Sequence, residues 1–483
     1  MATPQSPRLA GCMFILGFGV QLPFSVATLV LPWLVQAAAR PPATPPALLA
    51  GLPSLLSAAL ATSNGISVLA VARPVAKARP LFTVVLPVLL CAGVLAAAAS
   101  AACLDAEGTP MSGKVLVASA IPLAVLLGAV AAVSSCGTAS LATGGKGGSA
   151  MKAYTMGQSV AGVSTAAISF YAAAAVAAAS ESGHETSLAP HAAATLATSA
   201  AALVLSLVAY AALPPHERPS SHDAGVAEHC ERDAQASSAD SHANGSLTAP
   251  LLGDDGADVS VSEDGITPDD ASEEAQHAPT VPPPFAHGDL RLYKAALFAN
   301  FFVTCLVYPG IIAFLKPAAF GQGGPSDPQS VLDSSSAVHL PGGATLRGDL
   351  LVPATFVVFA AADLAGRVVA TAVPRIGARP LFSIALARML LLPCICMCNI
   401  VPPSGRWVAP RTFAASDAGP FLFLLLAAIS NGFITSAALA AGPNCRPPPR
   451  RGAVATRMMA WLVGGITLGN VAGLAVSLSL QKL

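Results

Sequence analysis

The sequence predicts an all-α polytopic membrane protein with eleven transmembrane helices. Of its 483 residues, 54% are apolar and only 10% are charged, whereas about a quarter of the residues in a soluble domain are charged. The apolar residues fall into runs of about 18 to 25, and about 20 residues at 1.5 Å each cross the hydrocarbon core of a bilayer. Because that core holds no water for unpaired backbone groups, such runs are expected to be helices.

The spans follow one another through short connections, except between the sixth and the seventh. Small residues dominate them, as in AGVLAAAASAAC, and close packing through Gly, Ala and Ser holds helices together in lipid. The predicted spans are Leu9–Gln36, Ala47–Ala72, Pro80–Cys103, Val115–Thr143, Ala153–Ser180, Ala189–Leu213, Leu292–Leu315, Leu350–Val373, Pro380–Val401, Pro420–Gly442 and Ala453–Leu480.

Prolines and glycines interrupt several spans. They include Gly17 and Gly19 with Pro23 in the first span, Pro122 in the fourth and Pro393 in the ninth. Interrupted helices are tolerated at membrane depth where they face protein or a water-filled cavity. The sequence leaves open whether these positions are breaks beside a cavity or ordinary kinks.

A long polar insert divides the chain into three predicted parts. Residues 1–213 are expected to form a six-helix bundle, residues 214–290 a disordered acidic cytoplasmic loop, and residues 291–483 a five-helix bundle. The insert holds 16 of the 25 acidic residues and too little apolar surface to offset the entropy cost of folding.

Basic residues predict the orientation of the chain. With the N-terminus inside, the inner loops carry ten Lys and Arg residues and the longer outer loops carry six, and cytoplasmic loops are enriched in these residues. The N-terminus is therefore expected in the cytoplasm and, after eleven spans, the C-terminus outside. We expect a multi-pass protein of the plasma membrane, with an intracellular membrane as the alternative.

Charged residues within the spans are few. Asp363 and Arg367 lie four residues apart, on one face of the eighth span, and Arg388 lies at a similar depth in the ninth. A charge at membrane depth is costly unless it is paired or faces a polar cavity, and one carboxylate cannot neutralise two guanidiniums. Two interpretations stay open: Asp363 and Arg367 contact a solute, or Arg388 holds Asp363 in place as part of the architecture.

Uncharged polar side chains add to this pair. Gln158, Asn300, Asn431 and Thr138 lie in spans, and together with the pair they suggest a cavity for a polar, neutral solute. The sequence lacks catalytic motifs such as H-E-x-x-H, so an enzyme is not expected. No cofactor or metal is expected either, because the ten cysteines are interpreted as small hydrophobic residues.

The second half of the chain resembles the equilibrative nucleoside transporter family in three ordered motifs. DLAGR at Asp363–Arg367 is similar to the D-x-x-G-R signature of the eighth helix in that family. LARMLLLPCICMCNI at Leu386–Ile400 resembles its ninth-helix pattern, and SNGFITSAALAAGP at Ser430–Pro443 its tenth-helix S-N-G motif. Weaker matches are GFGVQLP at Gly17–Pro23 and MGQSVAG at Met156–Gly162.

The resemblance implies a 6+5 two-bundle, major-facilitator-like fold in which the eighth-helix pair contacts sugar hydroxyls. Other positions depart from the family pattern. Leu22–Ser25 reads L-P-F-S where L-P-W-N is usual, Cys136 stands where a Gln is frequent, and Ala360 stands where an Asn is common. The predicted substrate-binding residues are Asp363, Arg367, Phe24, Ser25, Cys136 and Thr138, and the predicted structural or gating residues are Arg388, Asn431 and Gln158.

The function that the resemblance implies is facilitative transport of nucleosides, or of nucleobases, by alternating access around a midplane cavity. The expected partners are that solute and the lipid bilayer, not nucleic acid, and the oligomeric state is left open. One alternative is a proton-coupled carrier that uses Asp363, although a neighbouring Arg stabilises the charged carboxylate. The other is a non-transporting receptor or scaffold that acts through the acidic loop.

Overall fold

Helices lie on every predicted span in the computed structural model of the chain. The amino-terminal group is α1 (Pro7–Leu29), α2 (Pro46–Val75), α3 (Leu86–Ala106), α4 (Gly113–Gly144), α5 (Gly148–Glu181) and α6 (Ala189–Ala211). The carboxy-terminal group is α7 (Gly288–Cys305), α8 (Leu351–Ala372), α9 (Ala378–Ala387), α10 (Leu391–Cys396), α11 (Ala418–Ala441) and α12 (Arg451–Lys482). The structure describes residues 7–29, 33–34, 37, 46–75, 81–106, 113–144, 148–181, 188–213, 288–316, 337–339, 345–347, 350–373, 376–398, 400, 418–446 and 450–482.

The all-helical membrane class is confirmed. Within the described ranges, eight helical segments are long and apolar enough to cross a bilayer. They are Phe82–Asp105, Ala118–Thr143, Ala189–Ala211, Asp289–Tyr308, Leu351–Ala372, Ala378–Cys396, Ala418–Cys445 and Arg451–Leu480.

The prolines within the spans have different effects on the helices. Pro23 and Pro122 lie inside continuous helices. The ninth span was predicted as one helix, but a 3₁₀ turn at Arg388–Leu390 separates α9 from α10. Pro393 explains this turn, because its missing N–H leaves the carbonyl of Met389 without its usual helical partner.

A break that the sequence analysis missed lies at the end of α7. The helix continues as a π-helical segment at Leu306–Ile311 and a 3₁₀ turn at Ile312–Phe314. Tyr308 within it has a non-helical backbone, with φ −128° and ψ 112°. The cause is local, because the residue before a proline, here Pro309, is driven out of the helical region.

A short β-hairpin is the exception to the helical fold. Strands β1 (Ala337–His339) and β2 (Thr345–Arg347) pair antiparallel between α7 and α8, with Ala337 opposite Arg347. Residues 214–287 of the predicted acidic loop lie outside the described residues. Its last three residues, 288–290, belong to α7.

The hydrophobic core joins the two helix groups at one end only. A shared cluster includes Leu9, Met151, Leu290 and Val454 and draws on both groups, at the end where α1, α5, α7 and α12 begin. At the opposite end the amino-terminal group has a cluster of its own, with Trp33, Leu95 and Leu196 at its centre. The carboxy-terminal group has another, which includes Val307, Leu351 and Leu424. We call the two ends the shared end and the divided end.

Glycines bring helices of the same group into backbone contact. A Cβ at Gly17 would meet the carbonyl of Tyr154, so α1 and α5 lie too close for a side chain there. In the carboxy-terminal group, a Cβ at Gly432 would meet the carbonyl of Asp363, and one at Gly366 that of Ile429. Such close approach through small residues is how helices associate in lipid, and it fixes α8 against α11.

We predict that Gly432→Ala destabilises the protein. The added methyl group has no room beside the Asp363 carbonyl, and overpacking of this kind costs about 1–3 kcal/mol. Gly93→Ala on α3 is the matched control, because a Cβ there meets nothing within 4 Å. Thermal unfolding in detergent measures both variants, and equal unfolding temperatures would contradict the packing described here.

Candidate functional site

Asp363 on α8 is buried and accepts hydrogen bonds from three side chains. The Arg367 Nε atom and the Ser159 hydroxyl donate to its Oδ2 atom, at 3.0 and 2.6 Å. The Asn431 amide donates to its Oδ1 atom at 2.6 Å. A carboxylate out of water is stable only when its oxygens are paired in this way. The three donors come from α8, α5 and α11, so the carboxylate links both helix groups.

Arg367 makes its second contact across the same boundary. Its Nη1 atom donates to the backbone carbonyl of Thr155 on α5 at 2.8 Å. The hydroxyl of Thr155 lies 3.2 Å from the hydroxyl of Ser436 on α11. The guanidinium therefore pairs with Asp363 on its own helix and donates one further hydrogen bond to a helix of the other group.

Two side chains of α7 set the orientation of the Asn431 amide. Its Oδ1 atom receives the Asn300 amide at 3.0 Å and the Thr304 hydroxyl at 3.0 Å. Its NH₂ group therefore faces Asp363, which as a carboxylate can only accept. Asn300 also donates to Thr435 at 3.3 Å, which ties α7 to α11 beneath the site.

Arg388 is not the partner of Asp363. Its Nη1 atom donates to the carbonyl of Asn300 at 3.0 Å, and its Nη2 atom to the Ala427 carbonyl at 2.8 Å and to the Thr304 hydroxyl at 2.9 Å. Of the two arginines that the sequence offered, Arg367 therefore pairs with the carboxylate. Arg388 instead links the 3₁₀ turn to α7 and α11 and makes no hydrogen bond to Asp363, although the two opposite charges attract each other across the site.

Two further predicted residues gather around the buried Tyr154 of α5. Its hydroxyl accepts a hydrogen bond from Gln158 at 3.0 Å, and its ring and Cys136 belong to the same buried cluster. Nothing in the sequence indicated a role for Tyr154. Cys136 and Gln158 therefore pack beside Tyr154 and do not hydrogen-bond to Asp363 in the described part of the structure.

In the described part of the structure, Ser25 and Thr138 do not hydrogen-bond to the pair. Ser25 on α1 and Thr138 on α4 are both buried. The Thr138 hydroxyl has no hydrogen-bond partner among the described residues, so it keeps a free donor and acceptor. Phe24 lies in α1, but its side chain is outside the described residues.

Ser159, Thr155 and Ser436 are the contributors that sequence analysis missed. Ser159 is the serine of MGQSVAG, and Ser436 follows Asn431 within SNGFITS. Both therefore stood in motifs that had already been recognised. A search for hydroxyl residues in those motifs could have found them, but nothing in the sequence indicates that Ser159 faces Asp363.

The Asp363–Arg367 pair carries no net charge, whereas Arg388 adds a positive charge whose hydrogen bonds go to neutral groups. In the part of the chain that the structure describes, the buried charged side chains are Asp105, Asp363, Arg367 and Arg388. Asp105 lies at the divided end, where it accepts the Trp33 indole N–H at 3.0 Å. The Asp363–Arg367 pair is neutral as a whole, and it presents both donors and acceptors. Such a pair suits a neutral solute with hydroxyl groups better than an anion.

The position of the site along the bundle is also defined. On α11, Asn431 lies between Leu424 of the divided-end core and Ile434 of the shared core. The ion pair therefore lies between the shared core and the cores of the divided end. Among the described residues, no group of three or more His, Cys, Asp or Glu side chains could hold a metal ion.

Sequence comparison finds relatives for the carboxy-terminal part of the chain. Residues 345–478 match a family described as nucleoside transporter. Equilibrative nucleoside transporter 3 of Rattus norvegicus is 29% identical over 172 residues, which are 35% of this chain and 32% of that protein. The alignment thus spans about a third of the length of this relative.

Structure comparison extends over nearly the whole chain. A double tryptophan mutant of XylE has a TM-score of 0.50 and 12% identity, with 98% of this chain and 95% of that chain covered. Another XylE crystal structure, described as that of a major facilitator superfamily proton:xylose symporter, has a TM-score of 0.49 and 10% identity over 98% and 95% of the two chains. The likeness at 0.50 concerns the fold alone, and it supports the major-facilitator-like arrangement. These relatives are named as transporters, not as enzymes.

We predict that Asn431→Asp strongly destabilises the fold. The new carboxylate would face Asp363 at hydrogen-bonding distance in place of a donor, and leaving a buried charge uncompensated costs roughly 3–5 kcal/mol. Asn444→Asp is the matched control, because the Asn444 amide donates only to the Ala440 carbonyl of its own helix. Thermal unfolding in detergent should separate the two variants by many degrees, and a similar small change in both would contradict the site geometry.

Proposed function

We propose that this chain belongs to the equilibrative nucleoside transporter family, which its motifs and the match over residues 345–478 support, and that it carries nucleosides across a membrane as a facilitative carrier. The proposal extends to nucleobases as a second solute class. It includes eleven spans in a 6+5 arrangement, with residues 1–213 and 291–483 as the two bundles and the acidic segment between them as a cytoplasmic loop.

The observation that supports a carrier most directly is the division of the hydrophobic core. Both helix groups share one core at one end and have separate cores at the other. Carriers of this general type work by rocking two bundles around a site near the midplane. With the N-terminus in the cytoplasm, as we propose, the shared end is the cytoplasmic end and the divided end faces the outside.

The chemistry of the buried pair supports a nucleoside as the solute. A ribose has neighbouring hydroxyls, each able to donate one hydrogen bond and to accept others. Asp363 offers acceptor oxygens and Arg367 offers donors, and the two lie about one turn apart on α8. The pair can therefore accept a hydrogen bond from one hydroxyl of a diol and donate one to the other. A nucleotide would bring negative charges that a neutral pair cannot balance.

We place the base of the nucleoside against the amino-terminal group. Ser25, Cys136 and Thr138 are buried in that group, and Phe24 is adjacent to Ser25 in the chain. The free hydroxyl of Thr138 offers a polar contact for a base edge. We propose that Gln158, Asn431 and Arg388 hold the solute-binding residues in place. We also propose that the protein lies in the plasma membrane.

We predict that the purified protein in liposomes takes up radiolabelled adenosine and uridine above a protein-free control, and that Arg367→Ala abolishes this uptake. The guanidinium serves both the solute and Asp363, so Arg367→Lys should also lose most activity, since a lysine cannot reproduce the fork. Arg457→Ala on the exposed face of α12 is the control and should leave uptake unchanged.

Two results would contradict this proposal. If adenosine, uridine and nucleobases all fail to enter the liposomes, the solute class is wrong. If Arg367→Ala transports normally while the native protein is active, Arg367 is not part of the solute site.

We predict that deletion of Ser220 to Pro279 leaves nucleoside uptake within about twofold of the native rate. The segment is mostly polar and carries most of the acidic residues, so a carrier whose site lies between its helices does not need it. A scaffold or receptor that acts through this segment should lose its activity instead. Loss of uptake with normal yield of the deleted protein would favour that alternative.

A further inference from the structure

Buried hydrogen bonds join the two helix groups beside the ion pair. We call this set the seam and define it as Thr155 and Ser159 on α5 with Asp363, Arg367 and Ser436 on α8 and α11. Its contacts are Ser159 to Asp363 at 2.6 Å, Arg367 to the Thr155 carbonyl at 2.8 Å, and Thr155 to Ser436 at 3.2 Å. All five residues are buried.

A second set of contacts between the groups uses the same chemistry. Ser57 on α2 donates to the Asn470 amide oxygen on α12 at 2.9 Å, and Thr467 on α12 donates to the Ala61 carbonyl at 2.8 Å. A Cβ added at Gly65 on α2 would contact the side chain of Thr467 on α12 and not its backbone. Besides the shared hydrophobic core, these two sets of contacts between the groups consist of hydrogen bonds that can change partners.

Within each group, glycines add contacts of another kind to the hydrogen bonds. There, glycines bring backbone against backbone, as at Gly157 with the Phe14 carbonyl and Gly366 with the Ile429 carbonyl. Such steric contacts have no alternative partner, whereas a hydroxyl or carbonyl in the seam can exchange its partner for water or for a ligand. The groups are thus built to move as units and to part along the seam.

Within the seam, Ser159 offers Asp363 an alcohol hydroxyl. The proposed solute also offers alcohol hydroxyls, and it needs the same carboxylate. Oδ1 of Asp363 is held by Asn431 and Oδ2 is shared by Arg367 and Ser159. Arg367 lies on the same helix and stays with Asp363, so Ser159 is the donor that leaves when the groups separate.

We infer that Ser159 occupies the hydrogen-bonding position of a solute hydroxyl on Asp363, so that solute binding and closure of the seam compete for one carboxylate oxygen. This rests on the proposed function and makes Ser159 a positioning residue for it. When the solute arrives, its hydroxyl replaces that of Ser159, and the Arg367 donor held by the Thr155 carbonyl becomes available to the solute. The seam is then weakened.

This exchange of donors explains how Asp363 can stay paired while the two helix groups move apart. An uncompensated buried charge is costly, so a carrier that simply pulled Asp363 away from its partners would face a high barrier. Here one alcohol donor replaces another, and the carboxylate keeps its donors in both arrangements. Without solute, only Ser159 fills the position, which favours the closed seam.

The test combines Ser159→Ala with a reporter on the seam. Ser436→Cys introduces a thiol at a position that is 2% exposed, and its reaction with a water-soluble maleimide reports opening of the seam. Ser164→Ala is the matched control, because the Ser164 hydroxyl donates only to the Val160 carbonyl of its own helix. The same chain without Ser436→Cys corrects for labelling of the native cysteines.

We expect Ser159→Ala to raise the labelling rate without solute by several-fold and up to roughly 100-fold, since a hydrogen bond to a charged group is of that strength. Adenosine should accelerate labelling in the otherwise native chain and have little effect in Ser159→Ala. Equilibrium binding of adenosine should become several-fold tighter in Ser159→Ala. Ser159→Thr, which keeps the hydroxyl, should restore native behaviour.

Two results would overturn the inference. One is equal labelling of Ser159→Ala and Ser164→Ala by well-folded, monodisperse protein. The other is faster labelling in Ser159→Ala with no change in adenosine affinity, which would make Ser159 a structural contact only. If the native protein neither binds nor transports nucleosides while Ser159→Ala still opens the seam, the proposed function fails and the seam stands.

Discussion

The carboxylate of Asp363 needs hydrogen-bond donors, because it lies among apolar helices where water cannot solvate it. Arg367 meets part of this need from the same helix, Asn431 from α11 and Ser159 from α5. Each donor fixes the helix that carries it. The need to pair one charge thus brings together three helices, two of them from the carboxy-terminal group and one from the amino-terminal group.

A second layer of polar contacts holds these donors in place. Arg388 donates hydrogen bonds to the carbonyls of Asn300 and Ala427 and to the hydroxyl of Thr304. Thr304 and Asn300 in turn orient the Asn431 amide toward Asp363. The two arginines therefore have separate roles. Arg367 belongs to the face between the helix groups, and Arg388 belongs to the interior of one group.

The difference between backbone packing and hydrogen-bonded contacts gives the fold its mechanical character. Glycines such as Gly366 and Gly432 lock α8 against α11 at the backbone, so this pair of helices carries the ion pair as one unit. Between the groups, the contacts are the hydrophobic core that is shared at one end and the hydrogen bonds made by hydroxyls and carbonyls. A molecule built in this way can separate along its polar contacts while each unit keeps its packing.

The sequence by itself determined the helical membrane class, the positions of the helices and the placement of Asp363 and Arg367 on one face of the eighth span. These features depend on apolar run length and on the spacing of four residues along one helix, which are local quantities. Motif resemblance added the family for the second half. The motifs that carry this resemblance also contain Ser159 and Ser436, but nothing in the sequence indicated a role for these two serines.

Only the tertiary structure decided the contacts between distant segments. Ser159 and Asp363 are 204 residues apart, and no periodicity links them. The choice of Arg367 over Arg388 as the partner of Asp363 depended on which way each guanidinium points once α9 breaks before Pro393. The break at Tyr308 was a local signal that could have been found from Pro309. The shared and divided cores could not have been found from a local signal. They arise from how the described helices pack against one another and not from any single helix.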